Sequence, residues 1–333
     1  MAFLYLSEQG ACLQKTGERL VVAKEGETLL DLPVGKVEAV LIFGNVQFTT
    51  QAAHLLLQQG VEMALFTRRG RLVGQLTSPF TKNVTLRQAQ YDRAADPEFA
   101  LDLAKIIVGA KLTNSRGLLQ EFARNHPESG LKGEIERLTE LILQIGGSPN
   151  LAALLGLEGA AAHTYFQGLA RMVRHGFGFS GRQHHPAPDP VNALLSLGYT
   201  LVYNEISSLL DGMGFDPYMG FYHQPRYGHA TLASDLLEEF RALLVDRLTL
   251  SLINNRVFGE QDFFRHEPSG GMYLGDEPRK RYFQEYERYL TNVHHCPENG
   301  GETDFRRLFR RQAERLMRAV LLKGTYQPYT FFW

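Results

Sequence analysis

The sequence predicts an α+β chain of two domains: a small N-terminal β-sheet domain with one short helix over residues 1–88, and a larger all-α domain over 92–333. Three observations predict it. The 333 residues suit two domains or one large one, at about 100–200 residues each. The N-terminal part carries short apolar runs between turn signals. Beyond about residue 92 the apolar positions change to a helical period.

The runs Phe3–Leu6, Arg19–Ala23, Val37–Phe43, Val61–Phe66 and Leu72–Leu76 read as strands. Glu-Gln-Gly, Lys-Glu-Gly-Glu, Pro33, Gly44-Asn45 and Arg69-Gly70 separate them as turn formers. Between the third and fourth runs a helix is expected: Thr49-Thr50 can cap it, Ala52, Ala53 and Leu55–Leu57 supply its buried side, and Gly60 stops it. Pro97 opens a long helix in which Leu101, Ala104, Ile107, Val108, Leu112 and Leu118 fall near every 3.6 residues. A second follows over 131–145, and Gly146-Gly147-Ser148-Pro149 supplies a stop and a new start. Further helices are expected over 149–156, 158–174, 189–213, 231–254, 278–292 and 303–323, with loops over 183–190, 214–230 and 259–276.

Composition excludes several classes. Hydrophobic residues make up 44% and charged residues 21%, the mixture of a soluble globular chain. Two cysteines, Cys12 and Cys296, are too few for a disulfide framework or an all-cysteine zinc site. No apolar run approaches the ~20 residues of a membrane span, and the opening MAFLYLSEQG lacks the basic start and apolar stretch of a signal peptide. A cytoplasmic protein without a membrane partner is therefore expected. GxSxG and Walker patterns are missing, and no GxGxxG run stands between an expected strand and an expected helix, which sets aside the commonest hydrolase, nucleotide and NAD readings.

The net charge of −1 hides an uneven distribution. No carboxylate occurs from Gly159 to Pro188, a stretch holding Arg171, Arg174, Arg182, His163, His175, His184 and His185. Residues 304–323 carry seven basic against two acidic side chains. Two basic segments in a neutral chain suit a polyanionic partner; two solvated helix faces would account for them equally well.

The strongest chemical candidate is a discontinuous set of metal-binding side chains. GLEGAAAHTYF places Glu158 at a helix start among small residues that let another backbone approach. GFYHQPRYGHATLASDLLEEFR supplies His223 in a loop, then Asp235 and Glu238 one turn apart on a helix. Three acids and an imidazole could hold one Mg2+ or Mn2+. Solvated acids on an outer helix face would give the same spacing. His294-His295-Cys296 is a weaker cluster without a second ligand group nearby in sequence.

These segments carry a resemblance. The block at 189–254, with LEGAAAHTYF upstream, KIIVGAKLTNSRGLL at 105–119 and FTTQAAHLLLQQGVEMALFTRRGRLVGQL at 48–76, resembles the CRISPR-associated integrase of spacer acquisition. That family is the larger, catalytic subunit of the universal adaptation pair, and the resemblance spans essentially the whole chain. It implies an N-terminal β domain and a C-terminal helical catalytic domain, assembled as a homodimer. It also implies the roles: Glu158, His223 and Glu238 as ligands of Mg2+ or Mn2+, with Asp235 as an auxiliary acid and Glu239 as the rival to Glu238. The implied activity joins the 3′-OH ends of a short captured double-stranded DNA to the CRISPR repeat, with cleavage when water replaces the hydroxyl. A small ferredoxin-like adaptation subunit is the implied partner. His163, Arg171, Arg174 and Arg182, and less strongly His184 and His185, are then the expected phosphate contacts. Two alternatives remain: a structure-specific metal-dependent nuclease without integration, and a non-catalytic DNA-binding scaffold.

Overall fold

The structure, a computed structural model, describes every residue except 1, 69, 71, 78–82, 184–185, 297–300, 323 and 332–333. The chain divides into two compact units, Met1–Phe80 with Asp276–Glu287, and Thr81–Gly275 with Arg288–Trp333. An N-terminal β-sheet region followed by a helical region is the predicted fold class.

The first unit holds two four-stranded sheets. In one, β1 (Ala2–Leu6), β5 (Val37–Phe43) and β7 (Glu62–Phe66) run parallel, and β8 (Leu72–Leu76) closes the edge antiparallel. In the other, β2 (Cys12–Thr16), β3 (Arg19–Lys24) and β4 (Glu27–Pro33) form a meander, and the short β6 (Gln47–Phe48) runs parallel to β2. Helix α1 (Thr50–Gln58) is capped by Thr49, whose hydroxyl accepts from the Ala52 N–H. Leu13, Leu20, Val40, Ile42, Leu55, Leu56 and Met63 fill one core. Asp276–Glu287, the first three turns of a helix that continues to Thr291, belong here: Phe283 stacks on Tyr5 and lies against Phe43.

The second unit is helical, with short two-stranded pairs. Its described helices include α2 (Val84–Ala94), α3 (Pro97–Asn125), α4 (Lys132–Gln144), α5 (Leu151–Met172) and α6 (Pro190–Met213). A nearly continuous rod follows: α7 (Thr231–Leu237), a tight turn at Glu238–Phe240, a π-helical turn at Arg241–Asp246, and α8 (Arg247–Asn254). After α9 (Asp276–Thr291) comes α10 (Phe305–Leu322). Asp96 caps α3 before Pro97, and Asp189 caps α6 before Pro190, each a side-chain cap followed by proline at the first helical position.

Three differences from the expected elements bear on function. Helix α2 starts at Val84, so the expected boundary near 88 falls within it; it buries only Leu86 and Gln90, too little apolar pattern to read. Residues 149–174 do not form two helices but one, α5, so Glu158 lies mid-helix rather than at a helix start. Gly156 costs helix stability of about 1 kcal/mol, and burial of Leu154, Ala161, Tyr165 and Leu169 outweighs that cost. The acids of 235–239 are not on a wet helix face: Asp235, Glu238 and Glu239 are each at most 2% exposed.

Candidate functional site

Glu158 is held by the packing of α5 on α3. At Gly168 of α5 an added Cβ would come within 2.9 Å of the Leu119 side chain, so glycine permits the close approach. That approach brings Lys111 of α3 to Glu158: its Nζ pairs with Glu158 Oε1 and stands 2.6 Å from Glu238 Oε2. Glu238 also lies 2.9 Å from Arg241 Nε. Neither cation is aligned for a hydrogen bond to the buried Glu238 Oε2. Burial pushes the Glu238 carboxyl up, but Arg241, Lys111 and His223 together outweigh it and hold the group at about 2.

His223 is placed by Asp235. The loop before α7 folds onto the carboxylate, which accepts the backbone N–H of Phe221 (2.6 Å), Tyr222 (3.0 Å) and His223 (2.9 Å). Its Oδ1 also stands 2.7 Å from His223 Nδ1. Gly220 makes this possible, because a Cβ there would sit 2.8 Å from Asp235 Oδ2 and 2.9 Å from the Thr231 backbone. With Nδ1 engaged, His223 Nε2 is 3.7 Å from Glu238 Oε1. Burial disfavours the imidazolium, but the hydrogen bond to Asp235 and the charges of Glu238 and Asp235 outweigh it and raise the His223 pKa.

The four candidate groups thus have distinct positions. Lys111 bridges Glu158 and Glu238, His223 lies against Glu238, and Asp235 stands behind His223. Among the described residues no three of His, Cys, Asp and Glu are arranged as around an ion; the Lys111 ammonium occupies the space between the two carboxylates. The chemistry of the set nevertheless fits a divalent ion. It offers two carboxylates and an imidazole whose other nitrogen is held by a carboxylate, the arrangement that fixes a metal-binding tautomer.

Glu239 faces elsewhere. Its carboxylate accepts from the Tyr326 hydroxyl, Gln312 Nε2 (2.9 Å) and the Tyr329 N–H (2.7 Å). Burial pushes its carboxyl up to about 7, against those hydrogen bonds. A carboxyl raised in the folded state adds stability that is full below its unfolded value near 4.5 and is lost as pH rises through 7. Glu239→Gln should remove that dependence. Urea unfolding at pH 5 and pH 8 should show the variant gaining about 2–3 kcal/mol on the wild type at the higher pH. Parallel curves would show that Glu239 does not titrate there.

The expected phosphate contacts separate into two kinds. His163 is exposed, with its Nε2 3.0 Å from Gln167 Nε2. Arg171 pairs with Glu134 (3.1 Å) and donates to the Gly130 carbonyl, yet its side chain stays 53% exposed. Arg174 lies over the Phe122 ring and is 41% exposed. Arg182 is taken up by protein acceptors instead: the Gln183 carbonyl, Asn192 Oδ1 and Ser196 Oγ, with Tyr199 beneath it. His184 and His185 lie outside the described residues. His294 and His295 form a short strand paired with Glu302–Thr303, and buried Cys296 faces Arg311.

Residue-by-residue reading missed Lys111, Arg241 and Asp246. Asp246 is buried and accepts from Tyr165 (2.7 Å) and Tyr199, and Arg241 lies 4.6 Å over the Tyr199 ring. Their signal was faint: charges at 241 and 246 inside the apolar run FRALLVDRLTLSLI.

The family described as CRISPR associated protein Cas1 matches residues 4–288. The chain is 35% identical over 329 residues to a CRISPR-associated endonuclease Cas1 of Thermus thermophilus, covering 98% of this chain and 96% of the relative. It is 36% identical over 337 residues to a CRISPR-associated exonuclease Cas4/endonuclease Cas1 fusion of Geobacter sulfurreducens, covering 99% of this chain and 60% of the fusion. The chain therefore spans about three-fifths of that longer relative. A Cas1 protein from Thermotoga maritima shares the fold, with a TM-score of 0.84 at 24% identity over 99% of this chain and 100% of that one. A chain of a Cas6-RT-Cas1--Cas2 complex matches with a TM-score of 0.85 at 26% identity, over 99% of this chain and 36% of that one.

Proposed function

Because the chain belongs to the CRISPR-associated Cas1 family, we propose that it is a divalent-metal-dependent DNA endonuclease and integrase of CRISPR adaptation. It joins the 3′-OH ends of a short captured DNA to the CRISPR repeat by transesterification. The observation that carries this reading is the held imidazole of His223, whose Nδ1 is 2.7 Å from Asp235 while Nε2 faces Glu238.

Glu158, Glu238 and His223 Nε2 would hold Mg2+ or Mn2+, which supplies Lewis acidity toward a phosphate and lowers the pKa of an attacking hydroxyl or water. Asp235 orients His223 and leaves one ring nitrogen for ligation. Arg241 keeps Glu238 ionised despite its burial. The imidazole suits Mn2+ better than Mg2+. Phosphates are positioned by His163, Arg171 and Arg174, and Arg182 supports the loop before α6. The purified protein, with and without a small ferredoxin-like partner, should cleave and join strands with Mn2+ and do neither in EDTA. Metal-independent activity would overturn this reading, and cleavage without joining in either arrangement would leave a nuclease.

Arg174→Ala should weaken DNA binding and lower its salt slope by about one unit. The loss should be alike for different sequences, because phosphate contacts position without specifying. An unchanged slope would assign Arg174 to the fold alone.

Two ends of one short DNA need two sites at a fixed separation, which a two-fold dimer provides. We place the dimer contact in residues 1–88. Leu29 on edge strand β4 is 48% exposed and Val73 on edge strand β8 67% exposed, and such edges favour pairing with another chain. Sedimentation at micromolar concentration should show a dimer that Leu29→Glu with Val73→Glu weakens. A wild-type monomer would refute the assembly, and a dimer indifferent to both substitutions would refute these edges.

A further inference from the structure

The cation between the two carboxylates belongs to the chain itself. The Lys111 side chain is 15% exposed, and its ammonium reaches Glu158 and Glu238 together. A divalent ion shared by these carboxylates would need the same space. Lys111 and Arg241 already pair with the two acids, so an added cation meets carboxylates whose charge is compensated. A recess adjoins the ammonium, lined by Lys111, Tyr165, Tyr199, Arg241 and Asp246. Its acid, Asp246, accepts hydrogen bonds from the Tyr165 and Tyr199 hydroxyls.

We propose that Lys111 is a positioning residue that acts as a built-in counter-cation: its ammonium holds Glu158 and Glu238 together, competes with the divalent ion for the position between them, and turns toward Asp246 in the adjoining recess when displaced. The proposal rests on the functional reading above, which supplies the ion. Two like charges facing each other across a buried site repel strongly, so a chain without this ammonium pays in stability until another cation arrives. Ion binding and lysine displacement are then two sides of one linkage, and removing the competitor tightens the other ligand.

The test uses the full chain, with Mn2+ as the probe and no DNA. Lys111→Met should lower the melting temperature in EDTA by about 5–10 °C. Calorimetry should show Mn2+ binding about tenfold more tightly than to the wild type, with a correspondingly larger rise in melting temperature. Lys111→Arg, which keeps the charge, should restore the melting temperature in EDTA without tightening Mn2+. Lys111→Gln, which keeps a hydrogen-bond donor without the charge, repeats the measurement should methionine prevent folding, and the same tightening is expected. Unchanged or weaker Mn2+ binding in the neutral variants would overturn the proposal and leave Lys111 a purely structural ion-pair partner. No Mn2+ binding by the wild type would overturn the functional reading itself, an outcome distinct from wild-type binding that the lysine does not affect.

Discussion

Replacing His223 by alanine is expected to reduce cleavage and strand joining by about 10³-fold or more, because losing the proposed metal ligand would remove several kcal/mol of transition-state charge stabilisation. Its side chain is 30% exposed and packs at the rim of the site, so the fold should survive. Circular dichroism and the melting temperature in EDTA should stay close to the wild type. Glu158→Ala should cost as much activity, and it should also release Lys111 from one of its two carboxylates. Glu238→Ala is the least clean of the three, since it strands both Arg241 and Lys111 beside a buried gap. DNA binding should persist in His223→Ala, because the proposed phosphate contacts lie on other residues. Retained divalent-dependent turnover in His223→Ala would remove histidine from the site, and retained biological activity in Glu158→Ala would favour a scaffold.

Asp235→Asn is expected to damage stability and metal affinity together. The carboxylate accepts three backbone N–H groups and faces His223 Nδ1. An amide offers one acceptor oxygen and turns an NH2 group against the remaining donors. Hydrogen bonds to a charged acceptor are worth about 1.5–3 kcal/mol each, and a buried unsatisfied donor costs about 1–3 kcal/mol. A combined loss of about 3–5 kcal/mol should therefore appear in urea unfolding with EDTA present. Mn2+ affinity should fall by about 10–100-fold, the usual effect of removing the carboxylate behind a ligating imidazole. His223→Ala offers the contrast, losing affinity while largely keeping stability. A stable Asp235→Asn protein with unchanged Mn2+ binding would show that loop 220–223 is held by other contacts.

The two predictions separate what could be read in the residues from what could not. Asp235 stands twelve residues after His223 in sequence, and spacing alone made it one more acid near a helix start. Its work is done on backbone N–H groups, which carry no sequence signature. Glu238 and Glu239 are adjacent and chemically alike. Only the partners of each distinguish them: Lys111 and Arg241 for the first, Tyr326, Gln312 and the Tyr329 backbone for the second. The tight turn at Glu238–Phe240 and the π-helical turn after it also change which side chains share a face, so a 3.6-residue projection through 231–254 could not rank the two acids.

What the sequence determined by itself is what local rules govern. The strands at Val37–Phe43 and Leu72–Leu76, the helix opened by Pro97 and the helical period beyond it follow from neighbours in the chain. Residue types and spacing singled out Glu158, His223, Asp235 and Glu238, and resemblance added the roles implied for them. The tertiary structure decided the rest. It joined Val84–Ala94 into a helix that few apolar residues announce, and it ran α5 unbroken through Gly156 because the buried side outweighs a glycine. It placed Lys111, 47 residues from Glu158, between two carboxylates. The physical reason is common to all of these. Helix caps and periods are properties of a few consecutive residues, whereas the ionisation of Glu238 and the aim of His223 depend on charges and donors brought from distant segments into a site that water barely reaches.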